Sequence, residues 1–421
     1  AATYKNHPQV YFGQNGITIL GINGRPRIEA GSALASNTNG KAIFVIGGDE
    51  VTVDNIEFAN AKVPDNNGAG IRQEGCGLLI QNCFFNSNEM GILGGNYSPC
   101  TVTIQHCEFA NNGNANNPGF QHNVYINHID TLIFQFNYSI NAIAEGHELK
   151  SRAHFNAIRY NFIANVNSED SRTIDLPNGG TAVLVGNVIE QGESSVNSNI
   201  LGYGLEGLSN RSPHNIWVVN NTFINKKSKG SFIQIKKNTD TLSIQNNIFS
   251  GKITAGLILG SANTIDSNRN MANKDISHFK FEDSNNFNYR LNEYSPCIDE
   301  GLWLNRKVGE YILTPQFELS NKTESTMRFT YNSLDLGAFE YRPMVGIKEN
   351  KIASNMLHPN PTHGDNLYIK ESIGKSYTIY NSAGLFIQSG LVQPKGINLK
   401  PLNDGFYFIL INETQFKFYK N

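Results

Sequence analysis

A short phrase recurs along the N-terminal part of the chain: apolar, any, any, Asn or Cys, any, apolar. It reads Ile80-Gln81-Asn82-Cys83-Phe84-Phe85, then Ile104-Gln105-His106-Cys107-Glu108-Phe109, and later Ile244-Gln245-Asn246-Asn247-Ile248-Phe249. Its fourth position runs Ile56, Cys83, Cys107, Asn137, Asn161, Asn187, Asn221, Asn247, at intervals of 24 to 34 residues. Self-similarity at that period is the signature of a solenoid, one coil per repeat. The strands are short and alternating, and the Leu-x-x-Leu-x-Leu frame of leucine-rich repeats is absent. The expected fold is therefore all-β, a right-handed parallel β-helix. Asn suits the sharp corner of each coil, because it tolerates left-handed backbone and its amide bonds to the main chain. Stacked about 4.8 Å apart, such amides form a ladder inside the coil. These Asn read as structural, with Cys83 and Cys107 filling the same slot as small apolar groups.

Composition narrows the partners. The net charge is −2, so no whole-chain field favours nucleic acid or an anionic membrane. An anionic ligand must meet a local basic cluster. No run of 18 apolar residues is present, so no transmembrane segment is expected. The chain begins at Ala1 without a leader-like stretch, which reads as a leader already removed or a shortened chain. Five Cys in 421 residues make no disulfide scaffold. Cys76, Cys83, Cys100 and Cys107 read as stacked buried thiols, although their spacing also allows one bridge.

After each phrase comes a second strand. Alternation turns Ile92, Val124, Ile126, Leu149, Ile174 and Leu176 inward and their neighbours outward on one shared face. The outward grid is Asn123 and Tyr125, then Glu148, Lys150 and Arg152, then Asp175, then Tyr203. Tyr125, Lys150 and Asp175 should form a column at about 5 Å per step, flanked by His122, Glu145, His147 and Arg172. Such a local cluster in mid-helix reads as a groove for a polymer, with His122, Asn123, His147, Asp175 and Tyr203 as its substrate-binding residues. The plainer alternative is a solvated face of weak ion pairs. His122, His147, His154 and Glu148 lack the compact spacing of a transition-metal site.

The stretch Glu145-Gly146-His147-Glu148-Leu149-Lys150-Ser151, followed by Asn161 and by Leu176-Pro177-Asn178-Gly179 leading to Gly186-Asn187, resembles the central region of the chondroitinase B and alginate lyase family. That family is built on this β-helix. Its motif places an acidic calcium ligand five residues before a Lys-Ser pair whose Lys is the general base. The resemblance thus implies Lys150 as base and Ca²⁺ held by Glu145, with Glu148 as a second metal candidate. The family's next coil carries an Arg that is missing from Leu176-Pro177-Asn178-Gly179-Gly180, and Arg152 or Arg172 reads as its substitute. The implied reaction is β-elimination from a uronate in an anionic polysaccharide. Lys150 would act as the uncharged amine, Tyr125 as acid or alternative base, and Arg152 and Arg172 as stabilisers of the enolate-like intermediate. Two other readings stay open. A glycoside hydrolase would use Glu148 and Asp175, and a glycan-binding surface protein would turn over nothing.

The segments Ser295 to Gly301 and Asp335 to Tyr341 resemble the closing stretch of secreted β-helix proteins. The expected divisions are a β-helix over 1–342, a linker over 343–354 and a small β-sandwich over 355–421. That last module carries Pro359-Asn360-Pro361-Thr362, a turn at Ser382-Ala383-Gly384 and a Lys-rich end. It resembles the type A C-terminal sorting domain of the type IX secretion system. The resemblance implies a partner in that machinery and a secreted or cell-surface protein. An immunoglobulin-like accessory or carbohydrate-binding domain is the alternative.

Overall fold

Short strands of a repeat this long can satisfy their backbone only by pairing with the same strand of the next repeat. The computed structural model describes residues 1–342, 357–362, 364–369, 372–381, 386–411 and 414–421. The expected linker over 343–354 and the turn at Ser382-Ala383-Gly384 lie outside the described residues. The chain divides into two units, Ala1–Arg342 and Pro343–Asn421.

In the first unit each coil lays one strand into each of three sheets, of 10, 10 and 11 strands. One coil contributes Val124–Ile126 to the first sheet, Thr131–Gln135 to the second and Tyr138–Ile140 to the third. Neighbouring coils pair in parallel, as in Tyr125↔Lys150, Phe134↔Ile158 and Ser139↔Ile163. This is a parallel β-helix. The interior holds apolar stacks, with Phe58, Phe85 and Phe109 rings 5.2 and 5.0 Å apart.

The corner between the second and third sheets carries the expected ladder. Asn137, Asn161, Asn187, Asn221, Asn247 and Asn270 each accept at Oδ1 from the backbone of the rung before. Their Nδ2 groups donate onward, as from Asn161 to Asn187 at 2.9 Å. The left-handed residue is the one before each rung, for example Phe136 at φ 57° and Tyr160 at φ 55°. The ladder Asn is thus selected for its amide and its predecessor makes the turn.

A second ladder stands at the corner between the third and first sheets. Asn88 donates to Asn112 at 3.0 Å, Asn112 to Asn123 at 2.7 Å, and Asn123 to Glu148 at 2.5 Å. Glu148 occupies a rung position.

Coiling ends at the strand Met271–Asn273. The chain then folds back along the outside of the helix. Phe279, Tyr289, Leu291, Leu313 and Leu336 form a second buried core with Val183, Val185, Trp217 and Val219, which point outward from the second sheet. Burial on both faces explains the near-continuous apolar run in those strands. All five cysteines are free thiols.

In the second unit Ser376–Asn381, Phe386–Leu391, Gly405–Ile411 and Thr414–Lys420 form an antiparallel sheet. It shares a core of Ile379, Ile409 and Phe418 with Leu367, Ile369 and Ile397 of a three-stranded sheet. Among the described residues no helix is long and apolar enough to cross a membrane.

Candidate active site

Four strands of the first sheet build the site: β1 (Val124–Ile126), β2 (Leu149–Ser151), β3 (Ile174–Leu176) and β4 (Asn199–Tyr203). Tyr125, Lys150, Asp175 and Gly202 stand in register across them, as the alternation requires. The column is outward, and Lys150 and Asp175 meet within it. Lys150 Nζ lies 3.5 Å from Asp175 Oδ2 and 2.9 Å from Glu206 Oε1. Arg152 donates from Nε to Tyr125 Oη at 2.9 Å and from one terminal nitrogen to Asn178 Oδ1 at 2.7 Å. Its other terminal nitrogen pairs with Glu206 Oε2 at 2.7 Å.

Arg172 reaches over Asp175, with 3.7 Å between its nearest nitrogen and Oδ1. A Cβ on Gly202 would sit 2.8 Å from Arg172 Cδ, so glycine leaves the space that arginine crosses. Asp175 is almost enclosed, yet its Oδ1 accepts no hydrogen bond. That oxygen is closed off from solvent and faces Arg172.

His122 and His147 close one edge of the column. His147 holds Nδ1 against the Arg172 carbonyl at 2.9 Å and Nε2 at 3.6 Å from Asp175. Its backbone N–H donates to His122 Nδ1 at 3.0 Å, which puts the His122 proton on Nε2. Burial lowers the His147 pKa to about 4 against the opposing pull of Asp175. Burial likewise holds His122 well below its ordinary value. Both rings are neutral near pH 7.

Glu206 sits on a turn just after β4, where its N–H donates to the Pro177 carbonyl at 3.0 Å. Partial burial raises its pKa, but the hydrogen bonds and charges of Lys150 and Arg152 outweigh that and hold it below its ordinary value. The loop continues back over earlier coils, with Asn210 bonded to the Ala153 and Gly179 carbonyls and Arg211 to Asp130. Glu206, Asn178 and Gly202 were not legible as site residues. The signal that bears on Glu206 is the longest repeat interval, Asn187 to Asn221, which marks an inserted loop.

Three expected site residues lie inside the coil instead of on its surface. Asn123 and Glu148 precede their strands at the corner, where alternation does not apply, and both serve the second ladder. Glu148 also accepts from Ser139 Oγ at 3.1 Å and Ala142 N at 2.7 Å, and burial raises its pKa well above the ordinary value. Tyr203 pairs with inward Leu176, is fully buried, and donates from Oη to the Gly180 carbonyl at 2.5 Å. None of the three reaches a ligand on the outer face.

The expected calcium pair does not assemble. Glu145 is exposed at the corner, with left-handed backbone and its N–H on the Glu169 carbonyl. Glu148 faces inward with both carboxyl oxygens already accepting. Among the described residues no three His, Cys, Asp or Glu side chains form a group that could hold a metal. The hydrolase pair of Glu148 and Asp175 fails for the same reason, since one carboxyl is on each side of the sheet.

Fold and site together define a parallel β-helix protein with a polar, cation-rich patch on one outer face. No protein-family model matches the chain, and no curated protein matches it. Among solved structures it is similar to pectate lyase Pel9A, with TM-score 0.52 and 15% identity over 81% of this chain and 86% of that one. The likeness is one of fold.

Proposed function

We propose that the chain is a polysaccharide lyase that cleaves a uronate-containing polymer by β-elimination on the outer face of the first sheet. The observation that carries this reading is the Tyr125–Lys150–Asp175 column with Arg152 and Arg172 beside it. The sequence resemblance around Lys150 and the fold shared with a pectate lyase support it.

In this reading Lys150 and Arg152 neutralise the uronate carboxylate and so acidify the C5 proton. Tyr125 is the proton-transfer group, because Arg152 Nε donates to Oη and stabilises negative charge there. Tyr125 reacts as its phenolate: it takes the C5 proton, and the phenol so formed delivers that proton to the glycosidic oxygen as C4–O4 breaks and C4=C5 forms. Arg172 stabilises the enolate-like intermediate, and Asp175 positions Lys150 and Arg172. We assign Lys150 to charge neutralisation, since it already faces two carboxylates. His122 and His147 shape the edge of the groove as neutral rings.

The test is ultraviolet absorbance of the unsaturated product. Alginate, chondroitin, dermatan, pectate and ulvan would each be incubated with the protein, with calcium and with chelator. Rising absorbance on one of them is expected. New reducing ends without absorbance would reject elimination in favour of hydrolysis.

We also propose that the second unit is the sorting module its sequence resembles, and that the protein acts outside the cell. Deleting residues 343–421 should then leave the protein in the producing cell, and unchanged export would reject the assignment.

A further inference from the structure

Glu206 lies over two of the site's three cations, Lys150 and Arg152. Its side chain is 46% exposed, whereas those of Lys150 and Arg152 beneath it are 13% and 17% exposed. One carboxyl oxygen meets Lys150 at 2.9 Å and the other meets Arg152 at 2.7 Å, so a single carboxylate bridges both.

The cations do not depend on it for position. Arg152 is fixed by Tyr125 through Nε and by Asn178 through a terminal nitrogen. Lys150 keeps Asp175 on its other side. If Glu206 swung away, a two-point carboxylate cradle would remain in place and lack only its anion.

Glu206 stands on a turn that is open on one side. Gly204 and Gly207 flank it at φ +70° and +127°, and a Cβ on Gly207 would meet nothing within 4 Å. The turn therefore borders open solvent on that side.

We infer that the Lys150–Arg152 cradle is a carboxylate subsite, and that Glu206 is an internal stand-in which a uronate carboxylate displaces on binding. This rests on the uronate reading above. Glu206 then competes with substrate: it screens the cations in the free protein and weakens the binding of any ligand whose carboxylate must take its place. A neutral or esterified sugar has no carboxylate with which to displace Glu206, so its binding does not feel this competition.

The test uses the full chain and its Glu206→Gln variant, each shown folded by its melting temperature. Calorimetry measures binding of trimers of galacturonate, mannuronate, guluronate and a glucuronate-containing repeat, together with their methyl esters. Glu206→Gln should tighten binding of the free-acid trimer about tenfold, as expected for removing one competing charge pair, and leave the ester unchanged. If the wild type binds an acid trimer and the variant binds it equally or more weakly, Glu206 is a brace and the stand-in assignment is overturned alone. If neither protein binds any of the trimers, the subsite and the uronate reading fall together.

Discussion

Two sets of polar side chains lie on opposite sides of the same sheet. Inside, Asn112, Asn123 and Glu148 form a closed ladder in which each named contact is answered by the next coil. Outside, Lys150, Asp175 and Arg172 meet at 3.5 and 3.7 Å, Arg152 holds Tyr125 at 2.9 Å, and Glu206 over Lys150 and Arg152 is half exposed. The inner set is saturated and shut off from water. The outer set has capacity left for a ligand. Buried polar groups must be satisfied to be tolerated, whereas polar groups that reach a surface groove are what a substrate can use. The difference separates structural from functional polarity more sharply than residue type does, since acids and amides occur on both sides.

Breaking the outer set should cost activity and little else. Tyr125→Phe keeps the ring and removes the proton-transfer oxygen, so turnover should fall about a hundred- to ten-thousand-fold. Chemical denaturation should show stability changed by less than about 1 kcal/mol. An active Tyr125→Phe protein would reassign the proton transfer.

Breaking the inner set should do the reverse. Asn161→Ala removes bonds to Asn187 and to the Phe134 carbonyl and leaves the Asn137 amide unanswered. A loss of about 3 kcal/mol is expected in a denaturant titration. Specific activity should be retained at temperatures where the protein stays folded.

The edge between the two sets is sensitive to pH. His147 has a folded pKa near 4 against an ordinary value of 6.5. The neutral ring therefore contributes stability above about pH 6.5, and this is lost as pH falls toward 4. A contribution of about 3 kcal/mol is expected from that shift. Melting temperature followed over that window should fall more steeply for the wild type than for His147→Gln. Parallel curves would remove His147 from the account.

A smaller effect sharpens the outer geometry. Gly202→Ala puts a methyl group against Arg172 and Asp175, displacing a flexible side chain without a backbone clash at the nearest atoms. Turnover should drop about tenfold with stability nearly unchanged, because catalysis is sensitive to small misplacements.

The repeat phrase carries the solenoid, its parallel sheets and the ladder of Asn137 to Asn247, because a period-long pattern of apolar and amide positions is local information. The column Tyr125–Lys150–Asp175 is legible for the same reason: alternation within a strand is strict. At the corners it fails. Asn123 and Glu148 stand just before β1 and β2, where the chain is still turning, so counting backward from the strand puts them on the wrong side. Glu206 belongs to an inserted loop that returns over earlier coils, and no periodicity reaches it. The fold-back of residues 274–342 follows from apolar outward positions such as Val183, Val185 and Trp217, which signal a covered face without naming the cover.

Glu148 and Lys150, two residues apart, give the most direct test of this partition. Glu148→Gln and Lys150→Ala should be compared in one assay for unsaturated product on the polymer the wild type cleaves. The account predicts that Lys150→Ala is inactive and that Glu148→Gln, once folded, retains activity close to the wild type. A folded Glu148→Gln protein without activity, or an active Lys150→Ala protein, would contradict it.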